Sequence, residues 1–210
     1  MTLEEAKKHE KSAESGGEIV FPLETQRDFG RIAAQTAKQV IIQRIREAER
    51  DILYSEFKDK ENRVVTGSIQ QIEGDAVFVN LGKITAMMLP SDQMPNEHYY
   101  VGQRIKVFVN GVEETPRGPR VLVSRTHPEL VAQLFEQEVP EIQSAAVEIC
   151  AISREAGSRT KMAVTSNQAG IDPVGSCVGG RGARVQAVLA ELGNEKLDII
   201  LYDEDTIAFI

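Results

Sequence analysis

Asp172-Pro173-Val174-Gly175-Ser176-Cys177-Val178-Gly179-Gly180-Arg181-Gly182-Ala183-Arg184-Val185 is the stretch whose reading decides the fold. Asp172 supplies an N-cap oxygen and Pro173 a pre-set backbone angle, so a helix starts there. It stops at Gly179, and a second helix is expected from about Ala183 to Leu192, closed by Gly193. The two helices meet at a G-x-x-G turn with an arginine inside it. Side chains are nearly absent at the turn, so a ligand can approach the backbone closely, and the second helix directs free N–H groups outward. That chemistry favours a sugar–phosphate chain, with Arg181 and Arg184 as charge partners and Val174, Val178 and Val185 as an apolar floor for bases. A P-loop is excluded, because arginine stands where lysine should follow Gly180 and no strand leads in. A dinucleotide fingerprint fails for want of G-x-G-x-x-G in a strand-to-helix turn.

Working outward, His127-Pro128-Glu129 opens a helix through about Gln137, which Val139-Pro140 ends. Val147–Ser153 and Lys161–Val164 read as strands around the turn Glu155-Ala156-Gly157-Ser158, and Leu197–Tyr202 as a last strand. Many helix–helix turns contain G-x-x-G; placed in α-β-β-α-α-β order it becomes specific. Such a loop is how KH modules clamp about four nucleotides.

Residues 62–126 read as all-β. Strands are expected at Val64–Ile69, Ala76–Leu81, Ile84–Leu89, Arg104–Asn110 and Arg120–Ser124, with turns at Glu73-Gly74-Asp75 and Gly82-Lys83 and a long connection over Pro90–Tyr100. Five short strands with one long third-to-fourth connection suit a small closed barrel of the OB kind. Phe78 is the candidate base-stacking platform if its strand turns it outward; the other phase of the alternation buries it. Tyr99, Tyr100 and Phe108 pose the same choice, with core packing the ordinary outcome. Lys83, Arg104 and Lys106 are candidate phosphate contacts.

Residues 1–25 are charged and glycine-containing, with one short strand at most around Ile19-Val20-Phe21-Pro22. From about Gln26 to Phe57 apolar residues recur every three or four positions: Phe29, Ile32, Val40, Ile41, Ile45 and Ile52 lie on one helix face. A helix of about thirty residues is ~45 Å long. Its apolar stripe needs a partner beyond one small domain; packing within its own domain is the ordinary alternative. The expected architecture is therefore α+β and multidomain: an N-terminal helical segment (1–59), a five-stranded OB barrel (60–127) and an α-β-β-α-α-β domain (128–210).

The total charge of −8 opposes a polyanion at long range. It is unevenly spread: residues 1–59 carry −2, 60–127 carry +1 and 128–210 carry −7. Nucleic-acid binding must come from local patches. Cys150 and Cys177 have no C-x-x-C partner or histidine pair, so reduced thiols are expected, with no zinc or disulfide framework. No run approaches the ~18–20 apolar residues that span a bilayer, and the compartment reads as cytoplasmic. His9, His98 and His127 lack carboxylate or nucleophile companions, so no catalytic set, cofactor site or small-molecule site emerges. A scaffold whose modules contact proteins, with RNA binding vestigial, is the rival reading, supported by the −7 charge of residues 128–210.

Gln35–Ile41 followed by Arg46–Arg50 resembles the last helix of the N-terminal domain of the NusA family of bacterial transcription elongation and termination factors. Residues 62–126 resemble that family's S1-type OB domain. Pro128-Glu129-Leu130, Glu138–Ile142, Gly157–Lys161 and Asp172–Gly175 with Gly179–Gly182 resemble its first KH domain, of the prokaryotic type. The resemblance implies binding of RNA polymerase and of single-stranded nascent RNA, and modulation of pausing, termination and antitermination alongside other antitermination factors. It gives Gly179, Gly180, Arg181 and Gly182 the RNA-clamp role and sets Phe78 on the RNA face of the barrel; Arg184, Lys161 and Lys83 are the further candidate RNA contacts. Met87 and Leu89 depart from the S1 pattern, which often has an aromatic or hydrophobic residue and a histidine there. The resemblance also implies a fragment, with most of the N-terminal domain and a second KH domain lying beyond the two ends.

Overall fold

The computed structural model describes residues 27–116, 118–193, 195–205 and 209. The short strand considered around Ile19–Pro22 lies outside them. The chain divides into two compact units, residues 1–47 and 48–210.

Helix α1 (Arg27–Lys58) matches the expected span. Its stripe residues Ile32, Val40, Ile41, Ile45 and Ile52 are exposed, so the ordinary alternative of burial does not describe them. The last turns behave differently. Leu53 and Tyr54 pack on the barrel, and Phe57 is 1% exposed within the barrel core. The end of the helix therefore belongs with the strands that follow it.

The barrel comprises β1 (Val64–Glu73), β2 (Ala76–Asn80), β3 (Thr85–Met88), β4 (Arg104–Thr115) and β5 (Gly118–Ser124), closed in the order β1-β2-β3-β5-β4. All neighbours are antiparallel except β3 and β5, which run parallel and meet at Met87 and Leu122. Alternation places Val77, Val79, Ala86, Met88, Val107, Val121 and Val123 inside. Gly67 has a packing reason: a Cβ there would lie 2.5 Å from Val79 Cγ1 and 2.9 Å from the Asn80 carbonyl oxygen. The connection from β3 to β4 holds one short 3₁₀ turn, Pro90–Asp92.

The last domain contains α2 (Pro128–Glu138), α3 (Pro140–Gln143), β6 (Val147–Glu155), β7 (Arg159–Ser166), α4 (Pro173–Val178), α5 (Ala183–Leu192) and β8 (Lys196–Leu201). Helix α3 was not foreseen. Val139-Pro140 ends α2, but Pro140 at once begins a new turn with its ring at the first helical position, where its missing N–H costs nothing. The sheet order is β6-β7-β8, with β6 antiparallel and β8 parallel to β7. Parallel pairing demands a crossover, which α4 and α5 supply. The core joins Leu130, Leu134 and Phe135 to Val147, Met162, Val164, Cys177, Val188 and Leu192. Burial pushes the Cys177 thiol up to about 11.

Candidate nucleic-acid interface

Asp172 caps α4, its Oδ1 accepting the Val174 N–H at 3.1 Å, and Pro173 is buried beneath the first turn. The Gly179 N–H donates to the Gly175 carbonyl at 2.8 Å and closes the helix. The chain then reverses through left-handed backbone: Gly179 at φ 74, Arg181 at φ 56 and Gly182 at φ 77, whereas Gly180 keeps a negative φ. Gly179, at ψ 174, occupies a region open only to glycine. Gly180 has nothing within 4 Å of an added Cβ and faces open space. Arg181 is exposed and has no partner among the described residues. Helix α5 starts on Gly182 without a side-chain cap; the Ala183 N–H donates to the Gly180 carbonyl, and no side chain caps the amides that follow, where an anion is favoured.

The second arginine is placed otherwise. Arg184 Nη1 donates to Glu141 Oε2 at 2.8 Å and to the Ser176 carbonyl at 2.7 Å, tying α5 to α3 and α4. The carboxyl of Glu141 is held below its usual range by its own backbone N–H and by Arg184, against the opposing effect of burial. The stem of Arg184 also fills the space beside Gly179, whose added Cβ would sit 2.7 Å from Arg184 Cγ. Arg184 thus shapes the loop rather than projecting from it. Val174 and Val185 are half-buried against the domain core, and Val178 is half-buried too.

Lys161 alternates on β7 with Thr160 and Met162, both fully buried on the face that the helices cover. It therefore projects from the opposite face of the sheet, away from the Gly179–Gly182 loop. On the barrel, Phe78 lies between the buried Val77 and Val79 and so faces outward, half-buried. It pairs with Met87, which pairs with Leu122, giving an apolar row across β2, β3 and β5. Lys83 makes an ion pair with Glu56 at 2.7 Å, and the Glu56 carboxyl is lowered by Lys83 and then by Lys60. Arg104 is exposed without a partner among the described residues, whereas Lys106 Nζ donates to Gln137. Tyr99 packs against the barrel core, its hydroxyl accepting the Met94 N–H at 2.9 Å, and burial pushes its phenol up. Tyr100 is exposed. Phe108 is buried, as core packing predicts, but not in the barrel's own core. It leaves the barrel for the core of the last domain and stacks on His127 at 4.3 Å.

That excursion belongs to the junction between the two domains, where the short Ser124–Pro128 connection favours a fixed orientation but the sequence does not single out the buried contacts. Arg125, 1% exposed, donates to both Glu97 oxygens at 3.0 and 2.8 Å and to the Lys106 carbonyl at 2.8 Å. It also donates to the Glu191 carboxylate at 2.7 Å and to its carbonyl at 2.8 Å. Burial opposes its charge, but Glu97 and then Glu191 outweigh that and raise its pKa. Arg154 and Glu195 form a second buried pair at 2.9 Å, with Arg154 also donating to the His127 carbonyl. Gln133 binds Val64 N–H and the Asn62 carbonyl at 2.7 and 2.6 Å. These bonds fix the barrel on the following domain. Nothing local in Ser124-Arg125-Thr126 announces the burial; its partners lie 28 and 66 positions away.

Barrel and loop together define a class: a protein in which an S1-type OB barrel is locked to a prokaryotic-type KH domain. Three family models match the chain in turn. A model described as the NusA N-terminal domain matches residues 1–51, one for the S1 RNA binding domain matches 58–124, and one for the NusA-like first KH domain matches 125–202. The chain belongs to the NusA family. It is 50% identical over 194 residues to the transcription termination/antitermination protein NusA of Bacillus subtilis, covering 92% of this chain and 52% of that one. The Thermus thermophilus protein of that name is 45% identical over 211 residues, covering 100% and 54%. The chain spans about half the length of the curated relatives it matches. Among solved structures, a multidomain protein with nucleic acid binding domains from Streptococcus pneumoniae overlays 45% of this chain and 33% of its own, at 14% identity and a TM-score of 0.30.

Proposed function

We propose that this chain binds single-stranded nascent RNA and, with RNA polymerase, modulates pausing, termination and antitermination in the bacterial cytoplasm. The observation that carries the reading is the Gly179–Gly182 loop, with its open backbone, an α5 terminus without a side-chain cap, and an exposed Arg181 that has no partner among the described residues. Four nucleotides are the span such a loop clamps in KH modules. The apolar row of Phe78, Met87 and Leu122 offers a second, weaker surface for bases. Arg184 acts here as a shaper of the clamp, Lys83 is shared with Glu56, and Lys161 serves the opposite sheet face. Relatives carry the words termination and antitermination in their names, which supports extending the role to this chain.

The test is fluorescence anisotropy of a labelled single-stranded RNA at two salt concentrations, with duplex DNA as competitor. Binding should weaken by ~0.7 log units per log of salt for each phosphate contact and resist the duplex. Gly180→Asp with Arg181→Asp should abolish retention while the fold persists, because Gly180 faces open space and Asp tolerates the left-handed backbone of Arg181. Unchanged affinity in that double variant refutes the clamp.

A further inference from the structure

The RNA reading leaves the acidity of residues 128–210 unexplained: 13 acidic against 6 basic side chains. Part of that charge lines a groove. Glu129, Ala132, Gln133 and Glu136 recur at helical spacing on the outer face of α2 and form one wall. Ile142 and Ala145 form the floor, and the start of β6, with Glu148 and Ile149, forms the other wall. The groove encloses about 500 Å³, and among the described residues no basic side chain lines it. A second cleft of about 280 Å³ shares Gln133 and Glu136 and carries the groove on toward Arg63 at the foot of the barrel.

Three features make this more than a solvated face. First, the carboxylates are uncommitted: Glu129 and Glu136 have no side-chain partner among the described residues, and Glu148 shares only the Asn167 amide at 3.3 Å. The neighbouring amides are committed, Gln133 to the barrel and Gln143 to the Glu136 carbonyl. Second, the lining is partly apolar, with Ile142 in the floor and Ile149 in the β6 wall both half-buried. Third, β6 is the edge of its sheet, paired only with β7, so its outer ladder of N–H and C=O groups is open to an added strand. No residue of the Gly179–Gly182 loop lines the groove, and its carboxylates repel phosphate.

We propose that this groove docks a basic, extended segment of a partner protein, which adds along the free edge of β6. Lysine or arginine side chains meet Glu129, Glu136 and Glu148, and the alternate apolar side chains settle on Ile142 and Ile149. The charge that disfavours RNA over this domain thereby becomes the charge that selects a protein, so one domain separates two partners by surface.

The test uses the isotope-labelled full chain and a synthetic peptide of about twelve residues alternating lysine and valine. The peptide should move the amide resonances of Ala132, Glu136, Glu148 and Ile149, and leave those of Gly179–Gly182 in place. A lysine–serine peptide of equal charge should bind several-fold more weakly, since the apolar floor is not used. The isosteric triple variant Glu129→Gln/Glu136→Gln/Glu148→Gln should keep its melting temperature and RNA affinity yet bind the lysine–valine peptide about tenfold more weakly, as three exposed ion pairs allow. Ala132→Arg should block the groove by size and charge. Results of three kinds overturn the proposal. The first is resonance shifts spread over the acidic surface, or equal binding by the triple variant. The second is single-stranded RNA moving the same amides. The third is sedimentation revealing a self-association that the triple variant abolishes, which assigns the groove to a second copy of the chain.

Discussion

Replacing Glu195 by glutamine should cost this protein about 3–5 kcal/mol, the penalty for stranding one partner of a buried ion pair. The side chains of Arg154 and Glu195 are both 0% exposed. Arg154 Nε and Nη2 each donate to the carboxylate at 2.9 Å, the Gly157 N–H donates at 3.0 Å, and the Thr160 hydroxyl completes the set. Glutamine preserves the shape and part of the hydrogen bonding but removes the only negative charge among the described residues that is bonded to the guanidinium. For a unit of this size, 1 kcal/mol corresponds to about 2–4 °C, so the melting temperature should fall by roughly 6–20 °C. Urea unfolding and calorimetry at neutral pH give the two numbers. Replacing both partners, as Arg154→Met/Glu195→Leu, should recover part of the loss, because no charge is then buried alone although the Gly157 N–H and Thr160 hydroxyl lose their acceptor. The pH dependence has a definite sign. Burial pushes the Glu195 carboxyl up, but Arg154, Thr160 and Gly157 together hold it below its ordinary value. Its contribution is therefore full above the unfolded carboxylate pKa and is lost as pH falls through the lower folded value. The stability gap between the parent chain and Glu195→Gln should narrow on acidification. A cost below about 1 kcal/mol, or single and double variants that show no coupling, refutes the reasoning.

Gly179→Ala should destabilise by about 1–3 kcal/mol, since its backbone is glycine-only and the new Cβ would meet the Arg184 stem; Gly180→Ala should stay within about 0.5 kcal/mol, both read by urea titration. Gly67→Ala should overpack the barrel against Val79 and the Asn80 carbonyl and cost about 1–3 kcal/mol in the same assay. Phe78→Ala should weaken single-stranded RNA binding by about 1–3 kcal/mol in anisotropy with the melting temperature nearly unchanged, because the ring lies outside the barrel core.

The elements that could be read from the chain are those whose cause is local. Asp172-Pro173 begins a helix wherever it stands before a helical run, and Gly179–Gly182 must reverse the chain because residues with bulky side chains resist that backbone. The alternation in β2 and the turns around it similarly announced strands, and the order of elements then left few topologies to consider. The family resemblance, carried by the same residues, pointed the same way.

Which way a side chain faces was decided elsewhere. An alternating strand has two phases, and only closure of the barrel around Val77 and Val79 turned Phe78 outward. Phe108 obeyed the alternation of β4 yet left the barrel, because the next domain offered it a core and the His127 ring. Lys161 and Arg184 were both candidate partners of the loop. The sheet turned the first to the opposite face, and Glu141, 43 positions away, drew the second into the fold. Arg125 looked like a linker residue until Glu97 and Glu191 converged on it from both domains. Backbone preferences act over a few residues and are written in local chemistry. The partner of a charge or an aromatic ring is set by which surfaces are brought together, and that is decided only when the whole chain has packed.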